Sequence, residues 1–143
     1  MKSIASRDVA VLRLLCRRIL PLRRIGERSY DQVIRTLQAQ AGSNPELARL
    51  LADGSAQMRK DLGRGWRNAK APVLTDYLRR VEATHYFKAL HDATLFTLIN
   101  QPTVWAATGY EGESFSKNGY LGRGFNDLKW LPEPPASVMG PVP

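Results

Sequence analysis

Two histidines raise the question of chemistry first. His85 and His91 stand six residues apart, with Glu82 and Asp92 nearby. Two helical imidazoles that share a metal stand three or four apart, because only those spacings put both rings on one face. Six places them on different faces, and Glu82 with His85, at i and i+3, makes only two ligands. These residues therefore read as polar positions that face a partner or are hydrogen-bonded in the core, and Asp76, Glu82 and Asp92 as solvated or ion-paired helix positions. Ser114 and Ser116 have no histidine close in sequence to serve as a base. Gly63-Arg64-Gly65 and Gly122-Arg123-Gly124 look like fragments of phosphate loops. Neither follows a strand pattern nor opens a helix, so a dinucleotide cradle is excluded. Cys16 stands alone, which excludes an intramolecular disulfide and a zinc cluster, and its place in an amphipathic pattern predicts a buried, inert thiol. No catalytic, metal-binding or cofactor-binding residue is assigned to this chain.

The elements that would position any site are helical. Val9, Leu12, Leu15, Cys16 and Ile19 recur at helical spacing over residues 7–20. Ser6 is a plausible N-cap, and Pro21 ends the run because it lacks an N–H and disfavours helix at the residue before it. Ser29-Tyr30-Asp31-Gln32 reads as a capping box, followed by Tyr30, Val33, Ile34 and Leu37 at i, i+3, i+4, i+7 and by Gly42 as a stop. Asn44 then caps a third helix with Pro45 at its first position, and Leu47, Leu50, Leu51, Met58 and Leu62 form its stripe. GRGWRNAKAP, residues 63–72, is an internal break. Beyond it lies a helical stretch to about residue 100. Leu74, Tyr77, Leu78 and Val81 make one stripe, and Phe87, Leu90, Thr94 and Leu98 a second of shifted phase. A single straight helix would run about 42 Å, long for 143 residues, so a bend or two helices meeting near Thr84 is expected. Helical periodicity is lost from Gln101 onward.

A net charge of +8 is unevenly spread. Residues 1–35 hold nine Lys/Arg against three Asp/Glu, whereas residues 101–143 hold three against four. Such a field attracts nucleic acid, anionic lipid or an acidic protein face. A nucleic-acid module would mix aromatics among its basic residues. Here the arginines, including the pairs Arg17–Arg18, Arg23–Arg24 and Arg79–Arg80, are separated from the aromatic tail, which favours a solvated or protein-facing arginine surface. A hydrophobic share of 43% supplies a core, and no apolar run is long enough to span a membrane. Arg13, Arg17 and Arg18 interrupt the first apolar stretch, so no secretory signal is expected on this chain.

The tail is the unusual part. Trp105, Tyr110, Phe115, Tyr120, Phe125 and Trp130 recur every fifth residue, with glycines at 109, 112, 119, 122 and 124 between them. No regular element has that period. Structureless segments of this length are usually functional or disordered, and the aromatics argue against simple disorder. The last stretch, PEPPASVMGPVP, is expected to be an extended arm or a disordered end. The expectation is an all-α domain of four or five helices over 1–100 and an extended, glycine- and aromatic-rich wrapping tail over 101–143.

That tail resembles the C-terminal signature of the gluconate 2-dehydrogenase subunit 3 family, the small or gamma subunits of bacterial flavin-dependent dehydrogenases of the glucose–methanol–choline type. The matching steps are P-x-V-W at Pro102–Trp105, G-Y-x-G at Gly109–Gly112, G-Y-L-x-R-G-F at Gly119–Phe125 and W-L-P at Trp130–Pro132. Upstream, RILPLRRIGERSYDQVI is similar to the family's I-L-P segment. YLRRVEATHYFKAL is similar to its E-x-x-x-F helix, with Glu82 matched to Phe87, one residue beyond the simplest spacing, or to Tyr86.

The resemblance implies a non-catalytic partner. In such complexes the large subunit holds FAD, oxidises a sugar or other alcohol and passes electrons onward, often to a cytochrome; the small subunit binds and stabilises it. Many members carry a twin-arginine signal, but Arg17–Arg18 and Arg23–Arg24 lie too deep to form one. The implied complex is periplasmic if the large subunit carries the signal, and otherwise cytoplasmic. Trp105, Tyr110, Phe115, Tyr120, Phe125 and Trp130 are then expected to anchor the partner interface, with Arg123 and Asp127 making polar contacts. Each aromatic buries about 150–250 Å², worth several kcal/mol at about 25 cal/mol per Å² as an upper bound. Ordering the tail costs about 1–2 kcal/mol per residue, so the anchors are what make its order feasible. The lesser reading is that the same residues wrap the chain's own helices, and the two are compatible. The alternative function is a basic helical module for nucleic acid or another acidic partner.

Overall fold

A computed structural model describes residues 4–117 and 119. The described residues are mostly helical: α1 (Ser6–Ile19), α2 (Glu27–Ser43), α3 (Pro45–Leu62), α4 (Ala71–Val81), α5 (His85–Ile99) and α6 (Pro102–Thr108), with 3₁₀ turns at Gly63–Asn68 and Phe115–Lys117. The all-α class expected from periodicity is what forms. Five helices lie within residues 1–100, as expected, and among the described residues a sixth, α6, occupies positions read as extended chain. Seven residues opened by proline and closed by glycine are too short to show a period. Pro102 and Gly109, which has a left-handed φ of 76°, mark its ends instead. One compact unit ends at Tyr110 and a second begins at Glu111.

The core follows the apolar stripes. Val11, Leu12, Leu15 and Cys16 of α1, Tyr30, Val33, Ile34 and Leu37 of α2, and Leu51 and Met58 of α3 are buried together with Leu74, Tyr77 and Leu78 of α4. Helix α5 packs against α1, α2, α3, α4 and α6, and buries Tyr86, Leu90, Thr94 and Leu98. Tyr86, not Phe87, faces inward at its start; Phe87 is half-buried and stacks on His91 at 5.9 Å between ring centres. The break expected near Thr84 is there: its hydroxyl accepts the Phe87 N–H at 3.2 Å and caps α5.

Three expected caps differ. Helix α1 begins at Ser6 itself, with Ala5 preceding it and no side-chain cap, and Asp8 supplies the first-turn negative charge. Helix α2 begins at Glu27 behind an extended Gly26, so Ser29 lies inside the helix and is buried, and no capping box forms. Gly42 lies within the last turn rather than stopping the helix. The Asn44–Pro45 start of α3 forms as read, with Asn44 Oδ1 accepting the Leu47 N–H at 3.0 Å.

Polar contacts brace α1 against its neighbours. Arg17 pairs with Glu27, and Arg13 approaches Asp31 at 2.5 Å as an ion pair without a hydrogen bond. Arg18 Nε donates to Thr75 Oγ1 of α4 at 2.7 Å. Arg59 of α3 donates to the buried Asp8 carboxylate at 2.5 Å. Several arginines expected to face outward thus serve the fold.

Candidate partner-binding surface

The tyrosine hydroxyl of Tyr30 shapes one wall of the surface. It donates to the Leu20 carbonyl at 2.6 Å and accepts the Leu22 N–H at 3.2 Å, so the chain leaving α1 is held against α2. Helix α6 supplies the opposite wall. It is tied down by buried Val104, by Gln101 Nε2 donating to the Ser29 carbonyl at 3.1 Å, and by the Trp105 indole N–H donating to the Ile99 carbonyl. Capping at Gly109 turns the chain back, and the Tyr110 N–H returns to the Trp105 carbonyl at 3.0 Å. The Tyr110 ring then meets Trp105 edge to face at 5.5 Å, a geometry the aromatic quadrupole favours.

Between these walls lies a cavity of about 510 Å³. Leu20 and Leu22 line it from the chain after α1, and Leu95, Ile99 and Asn100 from the end of α5. Val104, Trp105 and Thr108 of α6 and Tyr110 complete it. The size and apolar lining suit one or two buried side chains of a partner or a small apolar ligand. Ile99 is 45% exposed and Tyr110 52%, with Phe96 one turn back on α5 at 63%. Ile99 and Tyr110 line the cleft and leave large apolar surface uncovered there, as interaction surfaces do, whereas Phe96 lines a separate cavity with Thr36, Gln40 and Leu47.

The chain matches no family model, no curated protein and no solved structure.

Of the expected anchors, the structure brings Trp105 and Tyr110 together in this cleft. Phe115 is 95% exposed, in a segment where the Ser116 N–H and hydroxyl bond the Glu113 carboxylate. Tyr120, Arg123, Phe125, Asp127 and Trp130 lie outside the described residues. Sequence reading missed Leu20, Leu22, Leu95 and Ile99. A signal existed for Ile99: with Phe96 it stands off the Leu90–Thr94–Leu98 stripe, where a fully solvated helix face would be polar.

The other candidates have ordinary roles. His85 is exposed. His91 contacts Asp92 at 3.2 Å and Lys88 donates to Asp92 at 2.9 Å, and that Lys88 bond, with the His91 contact, holds the Asp92 carboxyl below the usual range. Asp76 pairs with Arg79 at 3.7 Å. Cys16 is buried as expected, and desolvation pushes its thiol up to about 11. Among the described residues no helix is long and apolar enough to cross a membrane.

Proposed function

We infer that this chain is a non-catalytic small subunit of a bacterial FAD-dependent sugar or alcohol dehydrogenase. It binds and stabilises the large subunit that holds the flavin. The large subunit performs the oxidation and hands electrons on, to a cytochrome where one is present; this chain contributes surface. The observation that carries the proposal is the apolar cleft at Trp105 and Tyr110. It sits where the family-like signature begins, on a compact helical unit that ends at Tyr110. A binding surface built on packed helices presents its anchors already ordered, which lowers the entropy lost on association.

In this proposal the tail beyond Tyr110 adds further contacts to the same large subunit, and the folded pair is exported on the partner's signal or works in the cytoplasm. Nucleic acid is the weaker alternative, since Arg17 and Arg18 are engaged by Glu27 and Thr75 within the fold.

The test is purification of the tagged chain from its native host. A larger yellow polypeptide in stoichiometric amount, with dye-linked oxidation of a sugar or alcohol, is expected. A chain that elutes alone, or with nucleic acid released by salt, overturns the proposal.

A further inference from the structure

The apolar cleft does not end at Thr108. A second, smaller cavity of about 200 Å³ adjoins it, lined by Leu22, Arg23, Arg24, Ile25, Ala107 and Thr108. Leu22 and Thr108 belong to both, so a chain lying in the cleft and running past Thr108 arrives at two adjacent guanidinium side chains. Both Arg23 and Arg24 are exposed, and no carboxylate pairs with either among the described residues. Arginines just upstream behave differently: Arg13 and Arg17 have carboxylates and Arg18 has the Thr75 hydroxyl. The backbone carrying Arg23 and Arg24 is pinned one residue before them, by the Tyr30 hydroxyl on the Leu22 N–H.

An apolar cavity continuous with two exposed guanidinium groups that no carboxylate of the described residues neutralises recognises a mixed ligand. The cavity takes an aromatic or branched aliphatic side chain. The planar guanidinium forks take carboxylates, bidentately where geometry allows. We propose that this surface docks an extended segment of a partner polypeptide in which an apolar anchor is followed, within a few residues, by two or more acidic side chains. A nucleic acid fits less well. The cleft is mostly aliphatic, the Trp105 indole N–H is already given to the Ile99 carbonyl, and two arginines meet few phosphates. The inference rests on the chain being a protein-binding subunit, not on its partner holding flavin.

The test is a nuclear magnetic resonance titration of the ¹⁵N-labelled full chain. The probes are peptides of about ten residues, carrying a Leu-Trp anchor followed by three glutamates or, as control, by three lysines. An oligothymidylate and phosphatidylglycerol vesicles serve as competing occupants. Saturable shifts at the Trp105 indole N–H and at the Leu22, Ile99 and Thr108 amides are expected with the glutamate peptide. It should bind about tenfold tighter than the lysine peptide, as two exposed charge-assisted contacts would give. Reversing the charge with Arg23→Glu and Arg24→Glu should invert the preference, and Arg23→Ala with Arg24→Ala should erase it, each with an unchanged melting temperature. Equal binding of the two peptides overturns the inference, as does no shift at millimolar peptide. Tighter binding of the oligonucleotide or vesicles at the same residues, or self-association through them, overturns it too. A failed titration beside a co-purifying flavoprotein removes this surface and leaves the proposed function standing; a successful one without flavoprotein does the reverse.

Discussion

The ring of Tyr86 fills the space that a side chain at Gly54 would need. A Cβ built on Gly54 falls 2.3 Å from Tyr86 Cδ2 and 2.4 Å from Cγ, while the Tyr86 hydroxyl reaches Ser55 Oγ at 3.4 Å in the next position of α3. Helices α3 and α5 therefore approach through a glycine notch, with an aromatic ring seated in it.

Replacing Gly54 by alanine should destabilise the protein although alanine is the better helix former. The propensity gain is about 1 kcal/mol. Against it stands a rigid, buried ring that has to move, and overpacking of this kind costs about 1–3 kcal/mol or more where atoms overlap so deeply. A net loss on the order of 1–2 kcal/mol is expected in urea unfolding. Gly65→Ala, where nothing lies within 4 Å of the added carbon, should stay within about 0.5 kcal/mol of the parent. An unchanged Gly54→Ala midpoint would mean that the two helices adjust freely.

The Asp8–Arg59 pair predicts a second asymmetry. Asp8 is buried and Arg59 only 22% exposed in its side chain. Removing one partner leaves the other charge poorly solvated, so Asp8→Ala should cost about 3 kcal/mol, whereas the double change Asp8→Leu with Arg59→Met should recover most of it. A double-mutant cycle in chemical denaturation measures both. Full additivity of the two single losses would show the pair to be uncoupled.

These two relationships also mark the limit of what the sequence makes legible. The helical stripes, the Asn44–Pro45 start and the break at Thr84 follow from local spacing and capping, so they can be read one helix at a time. Gly54 is silent in sequence, because its role depends on a residue 32 positions away in α5. Tyr86 and Phe87 are both aromatic neighbours, and only the seat at Gly54 decides which turns inward. The capping box at Ser29 misleads for a similar reason. Tyr30 bonds Leu20 and Leu22 from inside α2, a helix that already begins at Glu27, and neither contact is visible in the local spacing. For the cleft, the sequence marks Trp105 and Tyr110 as anchors, whereas its aliphatic walls come from two segments that meet only in the fold.

Alkaline pH should destabilise the protein through its buried thiol and phenols. Burial raises the Cys16 thiol to about 11 and Tyr77 to about 12, and raises the Tyr86 phenol further. A raised folded-state value means that the native protein holds its proton where the unfolded chain has released it. Stability is therefore complete below about pH 8.5, where an unfolded thiol is still protonated. It falls as pH rises towards 11 and beyond, and the thiol alone removes on the order of 3 kcal/mol by pH 11. Urea midpoints measured from pH 7 to 11 should decline, and in Cys16→Ala the decline should begin nearer pH 10, where tyrosine release starts in the unfolded chain. A parent midpoint that is flat to pH 10 would remove the thiol from this account.

The turn at Gly109 controls how the two aromatics of the cleft meet. Its φ of 76° lies in the left-handed region, which costs an ordinary L-residue roughly 1–2 kcal/mol. The Tyr110 N–H bond to the Trp105 carbonyl and the edge-to-face contact at 5.5 Å both depend on that turn. Gly109→Val should therefore open it at a stability loss of about 1–2 kcal/mol, because the helical core lies upstream. Tyr110 would then leave the Trp105 face, and the ring-current contribution to the Trp105 resonances would be lost. Tyr110→Phe keeps the ring and should leave those shifts nearly unchanged. The indole N–H, held by Ile99 rather than by Tyr110, should stay protected from exchange in both variants. Loss of that protection in Gly109→Val would show that the turn, and not the Ile99 carbonyl, holds Trp105 in the wall of the cleft.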